Sequence, residues 1–428
     1  MKLDLRVSRL ENGLRVVTSA TPAVASVAMG VWVAVGGRHE AARLSGISHF
    51  IEHLLFKGTT TRSARDISQA IEGRGGYFNA FTQEESTCYY AHVAAAQAAD
   101  VLDILADMYR HPRFASADIA KERGVIVEEI QMYHDQPQQL VQEMLGGLLW
   151  SDHPLGRPLA GSPATVRRLQ RADFLAYKNR YYQPAATLVV LAGQVEHEQA
   201  VAQVRQLLGS LPPQRAPACR PVTRRTVQRG VRARGKEIEQ AHLAIGLRLF
   251  GRHDPRRFAL KLLSTVLGEN MSSRLFQIIR EKHGLAYSIH STVDLFRETG
   301  VLAVSAGVDP DHLRRTLELT FRELARLRAQ PVGAAELRRA RDYVIGQLLL
   351  GLENTPARMM WAADNILNYG RFIQPAEIMN RIQRVTARDV QTLAGDIFRP
   401  GRLSLALVAP EAGPAEEALL RAGAQKLA

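Results

Sequence analysis

Only two of the 428 residues are cysteine, Cys88 and Cys219, so a disulfide framework is excluded and a reducing compartment is the simpler expectation. No apolar run approaches the roughly 18 residues of a membrane span, which argues against any transmembrane helix and against a membrane partner. The opening residues, Met1-Lys2-Leu3-Asp4-Leu5-Arg6, carry neither the apolar core of a secretory signal nor a serine-rich basic stretch. The expected location is therefore cytoplasmic. Acidic residues are missing between Arg215 and Lys236, where Arg215, Arg220, Arg224, Arg225, Arg229, Arg232, Arg234 and Lys236 supply most of the net charge of +13. Aromatic residues are missing there too, and Pro212, Pro213, Pro217 and Pro221 break the segment. A basic run without aromatic or recognition elements reads as a solvated linker, so no specific nucleic-acid partner is expected.

What remains is an ordinary globular chain, with 46% hydrophobic and 23% charged residues, long enough for two domains. The two halves repeat each other. Asp173 is followed eleven residues later by Pro184 and then by the apolar segment Thr187–Ala192; Asp389 is followed at the same spacing by Pro400 and then by Leu403–Val408. Near the start of each half, Gly30-Val31-Trp32-Val33 with Gly37-Arg38-His39-Glu40 has a counterpart in Gly246-Leu247-Arg248-Leu249 with Gly251-Arg252-His253-Asp254. Two matches at nearly one offset indicate an internal duplication. Strands at both ends of each half, with long helical stretches between, predict an α+β fold of two homologous domains, each a mixed β-sheet packed with helices. The expected division is 1–213, a basic linker 214–235, and 236–428.

Chemistry concentrates in His49-Phe50-Ile51-Glu52-His53. No glycine or proline interrupts Ile47–Lys57, so the segment reads as a helix. His49 and His53, four apart, share one helical face and can reach a single ion, and Glu52 lies beside that face within reach of a water. The order H-x-x-E-H is that of the inverted zinc peptidases. A catalytic zinc usually takes three protein ligands, and the helical segment Ala117–Met132 offers Glu122 and Glu129, seven apart on one face. Glu128 points about 100° away from them. Taken alone, that segment also reads as an acidic surface helix.

With these motifs the chain resembles the pitrilysin/insulinase zinc peptidases over essentially its whole length, and within them the processing-peptidase branch and its bacterial relatives. The resemblance implies one Zn²⁺ per chain held by His49, His53 and Glu129, with Glu52 as general base and Glu122 as a supporting residue near the metal. It also implies that Asn79-Ala80-Phe81-Thr82, after the turn Gly73-Arg74-Gly75-Gly76, is an exposed edge strand pairing with the backbone of a peptide or unfolded polypeptide. Arg280 and Tyr287 match the family's substrate-holding pair, placed to stabilise an oxyanion. They lie in the second half, which has no H-x-x-E-H; its matching segment reads Thr265-Val266-Leu267-Gly268-Glu269-Asn270. Related enzymes enclose a chamber with four such domains. One chain supplies two, so the expected assembly is a homodimer with composite sites, with a heterodimer containing a metal-free homologue as the alternative. A non-catalytic core-protein-like subunit is the other reading, against which stand the intact His49, Glu52, His53 and Glu129.

Overall fold

The computed structural model describes residues 3–223, 230–399 and 401–425; Arg224, Arg225 and Arg229 of the basic run and Pro400 of the repeat lie outside them. The chain sorts into two units. The first comprises Met1–Gln131, Arg157–Arg220 and Leu349–Pro375, the second Met132–Gly156, Pro221–Leu348 and Ala376–Ala428.

The first unit is built on β1 (Leu5–Arg9), β2 (Arg15–Ala20), β3 (Ser26–Val33), β4 (Tyr77–Thr82), β5 (Thr87–Ala94) and β6 (Thr187–Gly193), in the sheet order β1-β2-β6-β3-β5-β4. The second is built on β7 (Val231–Gly235), β8 (Ala241–Phe250), β9 (Ala286–Leu295), β10 (Thr299–Val308) and β11 (Leu403–Ala409), in the order β7-β11-β8-β10-β9. β6 lies parallel to β2 and antiparallel to β3, and β11 lies parallel to β7 and antiparallel to β8. The two orders therefore coincide strand for strand once β1 is set aside, which is the duplication the sequence predicts. The repeated Asp173 and Asp389 do the same work in each copy. Each sits three residues into a helix and accepts a hydrogen bond from the N-cap backbone, Gln170 N at 3.0 Å and Thr386 N at 2.8 Å.

Each sheet is covered on both faces. In the first unit Val16, Val27, Met29, Val31 and Val189 point into the main core with Ile47, Phe50, Ile51 and Leu54 of the motif helix. Their strand neighbours Val17, Ala28, Trp32, Leu188 and Val190 face the opposite way and pack on Met359, Ala362, Ala363 and Ile366. That is the period-2 alternation of a sheet buried on both sides. The covering helix, Thr355–Tyr369, comes from late in the chain. The second unit repeats the device: Ala244, Val301, Ala303, Ala406 and Val408 pack on Leu140, Val141, Met144 and Leu145 of the early helix Pro137–Leu149.

This exchange corrects the contiguous division expected from the sequence. An apolar helix face states what must be buried but not which sheet will bury it. The linker reading is corrected as well: Val231–Gly235 is β7, with Val231 and Ala233 packed against the core and Arg232 and Arg234 outside, paired in parallel with β11. The segment expected as a helix before Gly284 contains a π-helix, Phe276–Lys282, and a second π-helix spans Thr265–Glu269. Among the described residues no helix is long and apolar enough to cross a membrane.

Candidate metal centre

The motif helix runs Ile47–Leu55. Its apolar residues Ile47, Phe50, Ile51, Leu54 and Leu55 are fully buried, which turns the 49/52/53 side toward the sheet edge and the glutamate helix Ser116–Asp135. Two features fix where it starts. Gly46, its N-cap, has φ 95°, and a Cβ there would lie 2.6 Å from Ala160 O, so the tight approach requires glycine. Glu40 then caps the helix from a distance: Gly46 N donates to Oε2 at 2.8 Å and Ser48 N to Oε1 at 2.9 Å. Burial pushes the Glu40 carboxyl up to about 7 against the pull of those two bonds. Ser48 Oγ also lies 2.9 Å from the Tyr177 hydroxyl, tying the first turn to the core.

Among the described residues, the one group of three or more His, Cys, Asp or Glu able to share an ion is His49, His53 and Glu129, whose ligand atoms lie within 4.8 Å of one another. Glu129 Oε2 is 3.7 Å from His49 Nε2 and 3.5 Å from His53 Nε2. A tetrahedral zinc with bonds of about 2.0–2.1 Å holds its donors about 3.4 Å apart, so the set fits zinc in both separation and chemistry. Burial pushes His49 down to about 4, which keeps its imidazole neutral and its lone pair available at neutral pH. Burial also opposes the charge on His53, but hydrogen bonds with Glu129 and Glu122 outweigh it and raise that group above its ordinary value.

The second layer is asymmetric. His53 Nδ1 lies 3.2 Å from Glu122 Oε2, whose side chain is buried and whose other oxygen is 2.8 Å from Lys57 Nζ. His49 Nδ1, also buried, has no hydrogen-bond partner among the described residues. Glu128 is exposed and belongs to none of this. Glu52 stands outside the three-donor set. Thr82 Oγ1 donates to its Oε2 at 2.6 Å, and burial raises its carboxyl despite that bond.

Thr82 ends β4, which closes one side of the six-stranded sheet and pairs with β5 alone. Asn79 is exposed there, its Oδ1 accepting from Ala80 N, while Ala80 and Phe81 are half-buried. The structure thus brings His49, Glu52, His53, Glu122, Glu129 and the 79–82 strand to one place in the first unit. Arg280 and Tyr287 lie in the second unit, side by side: the guanidinium carbon is 5.8 Å from the phenol ring centre, and Tyr287 is 76% exposed. The sequence reading missed Lys57 and Glu40. Lys57 had a signal, since it follows His53 by four residues within the uninterrupted run Ile47–Lys57 that reads as a helix.

Residues 15–163 match the family described as Insulinase (Peptidase family M16), and residues 168–344 match the description Peptidase M16 inactive domain. An uncharacterised zinc protease of Mycobacterium tuberculosis is 40% identical over 395 residues, 91% of this chain and 90% of that protein. One from Bacillus subtilis is 36% identical over 400 residues, 94% of this chain and 97% of that protein. Among solved structures, a protease from Helicobacter pylori superposes with a TM-score of 0.88 at 21% identity, over 95% of this chain and 100% of that one. A peptidase M16 inactive domain from Pseudomonas fluorescens gives 0.87 at 17% identity, over 96% and 99%. At these identities the structural likeness speaks for the fold.

Proposed function

The chain belongs to the insulinase family of peptidases, M16, and from that premise we propose that it is a zinc-dependent endopeptidase of the inverted H-x-x-E-H type. Its substrates are peptides or unfolded segments taken into a chamber closed by a second copy of the chain. The observation that carries this reading is the approach of Glu129 Oε2 to His49 Nε2 at 3.7 Å and to His53 Nε2 at 3.5 Å, close to the donor separation of tetrahedral zinc, with the three ligand atoms all within 4.8 Å of one another. One zinc per chain, when bound there, supplies Lewis acidity and lowers the pKa of a neighbouring water toward about 7.

The chain's own residues do the rest. Glu52 Oε2 is engaged by Thr82, which leaves Oε1 to accept a proton from the attacking water and return it to the leaving amine nitrogen. The free edge of β4 offers backbone donors and acceptors to an extended substrate, so binding is tolerant of sequence. That the same strand ends in Thr82 links the docked peptide to the base. Arg280 and Tyr287, adjacent in the unit that lacks the H-x-x-E-H motif, with Arg280 half-buried and Tyr287 exposed, are donors suited to the oxyanion of a partner copy's site.

The test is zinc analysis of the purified protein together with cleavage of a random peptide pool, with and without a chelator, and a solution mass. Cleavage that needs about one zinc per chain supports the reading; cleavage that survives complete metal removal overturns it.

A further inference from the structure

We infer that Lys57 is a positioning residue of the metal centre, acting through Glu122 on His53; the inference rests on the zinc reading above. The contacts form an unbroken line. Lys57 Nζ lies 2.8 Å from Glu122 Oε1, Glu122 Oε2 lies 3.2 Å from His53 Nδ1, and His53 Nε2 lies 3.5 Å from Glu129 Oε2. A histidine that offers one nitrogen to a metal needs its other N–H held by an acceptor, which fixes both tautomer and ring orientation. Glu122 is that acceptor, and its carboxylate is divided between two partners, one oxygen each.

Lys57 therefore supplies the second anchor that stops the carboxylate rotating away from His53. Its backbone is anchored in turn, since Lys57 N donates to Leu54 O at 3.1 Å just past the end of the motif helix. The pair differs from an ordinary surface ion pair because the Glu122 side chain is 3% exposed, and a carboxylate so buried needs both its oxygens satisfied. The asymmetry of the centre adds weight: His49 has no outer partner among the described residues, so the outer layer orients His53 alone. The competing explanation is that Lys57 is a helix C-terminal cation, favourable to the helix but indifferent to the metal.

A double-substitution cycle on the full chain separates the two. Zinc affinity is measured by competition with a chromophoric chelator for wild type, Lys57→Met, Glu122→Gln and the double variant, alongside the visible spectrum of the cobalt-substituted proteins. Loss of an outer-layer partner weakens metal binding by about 10–100-fold. Lys57→Met is expected to weaken zinc about tenfold and to alter the cobalt bands, while adding less than about twofold on top of Glu122→Gln. Thermal unfolding of the metal-free proteins reports any change in the helix itself. Wild-type zinc affinity in Lys57→Met, or an equal loss in both backgrounds, overturns the inference while leaving the zinc reading intact. A wild-type protein that takes up no zinc sinks both.

Discussion

Glu52→Gln isolates the chemistry of the base from the structure around it. Gln keeps the size of the side chain and keeps an oxygen to accept from Thr82 Oγ1, now 2.6 Å from Glu52 Oε2, so the contact with the end of β4 survives. Glu52 is not one of the three clustered donors, so zinc content should stay at the wild-type level. What is lost is the basic oxygen. General-base assistance contributes about 10²–10⁴ in rate, or about 3–5 kcal/mol of barrier at 1.36 kcal/mol per decade. The assay is kcat/KM on a fluorogenic peptide chosen from the cleaved pool, with zinc per chain measured on the same sample. Thr82→Val is the companion variant. It keeps the strand and removes the donor, and is expected to lower kcat about tenfold with little change in KM, a hydrogen bond to a charged group being worth about 1.5–3 kcal/mol. Zinc-loaded Glu52→Gln protein with more than a tenth of wild-type activity would refute the assignment. Loss of activity that merely tracks loss of zinc would instead make Glu52 part of the ion's support.

Three further outcomes follow from the same geometry. Gly46→Ala places a Cβ 2.6 Å from Ala160 O at φ 95°, and should cost about 2 kcal/mol or more in urea unfolding and weaken zinc, because the start of the motif helix must shift. Glu40 has its folded value raised to about 7 from an ordinary 4.5, so its contribution to stability is complete below about 4.5 and disappears as pH rises through about 7. The full loss is about 3 kcal/mol, and Glu40→Gln should flatten that part of the urea-midpoint profile between about pH 4.5 and about pH 7; an unchanged slope would rule Glu40 out. If sites are shared between two copies, equal mixing of inactive Glu52→Gln and Tyr287→Phe subunits should restore about a quarter of wild-type activity, since half the dimers are mixed and each holds one intact site. No recovery after exchange of subunits would place Tyr287 elsewhere.

How much of this was legible in the sequence depended on whether the signal was local. The motif helix was, because two histidines four apart with no intervening glycine or proline leave little else to form. The duplication was, because Asp173 and Asp389 are both helix-capping residues ahead of a buried strand, and caps are written in the residues that make them. Glu129 was selected over Glu128 by family pattern, and the structure shows the physical side of that choice: Glu128 is exposed while Glu129 turns inward. The exchange of Pro137–Leu149 and Thr355–Tyr369 was not legible, since an apolar helix face does not say which sheet will bury it. β7 was hidden by its arginines, although Val231 and Ala233 alternate with them as an edge strand requires. The two π-helices carry no compositional mark at all.

The two copies also differ in the donors they gather around a carboxylate. In each copy a helix follows the strand that carries the early glycine pattern: Ile47–Leu55 after β3, and Arg257–Ser264 with its π-helical extension Thr265–Glu269 after β8. Each unit also holds a partly shielded carboxylate, Glu129 of the helix Ser116–Asp135 and Glu269 of the π-helix. In the first unit Glu129 Oε2 lies 3.7 Å from His49 Nε2 and 3.5 Å from His53 Nε2. In the second, Glu269 Oε2 accepts from Lys261 Nζ at 2.7 Å and from Thr265 Oγ1 at 2.9 Å, so its charge is met by a lysine of the preceding helix. A carboxylate so satisfied has no vacancy for a metal. The same sheet order therefore carries two different side-chain clusters, one with two histidines beside the carboxylate and one with a lysine. Replacing Lys261 alone should not create a zinc site, because no histidine of that π-helical segment can supply the missing lone pairs.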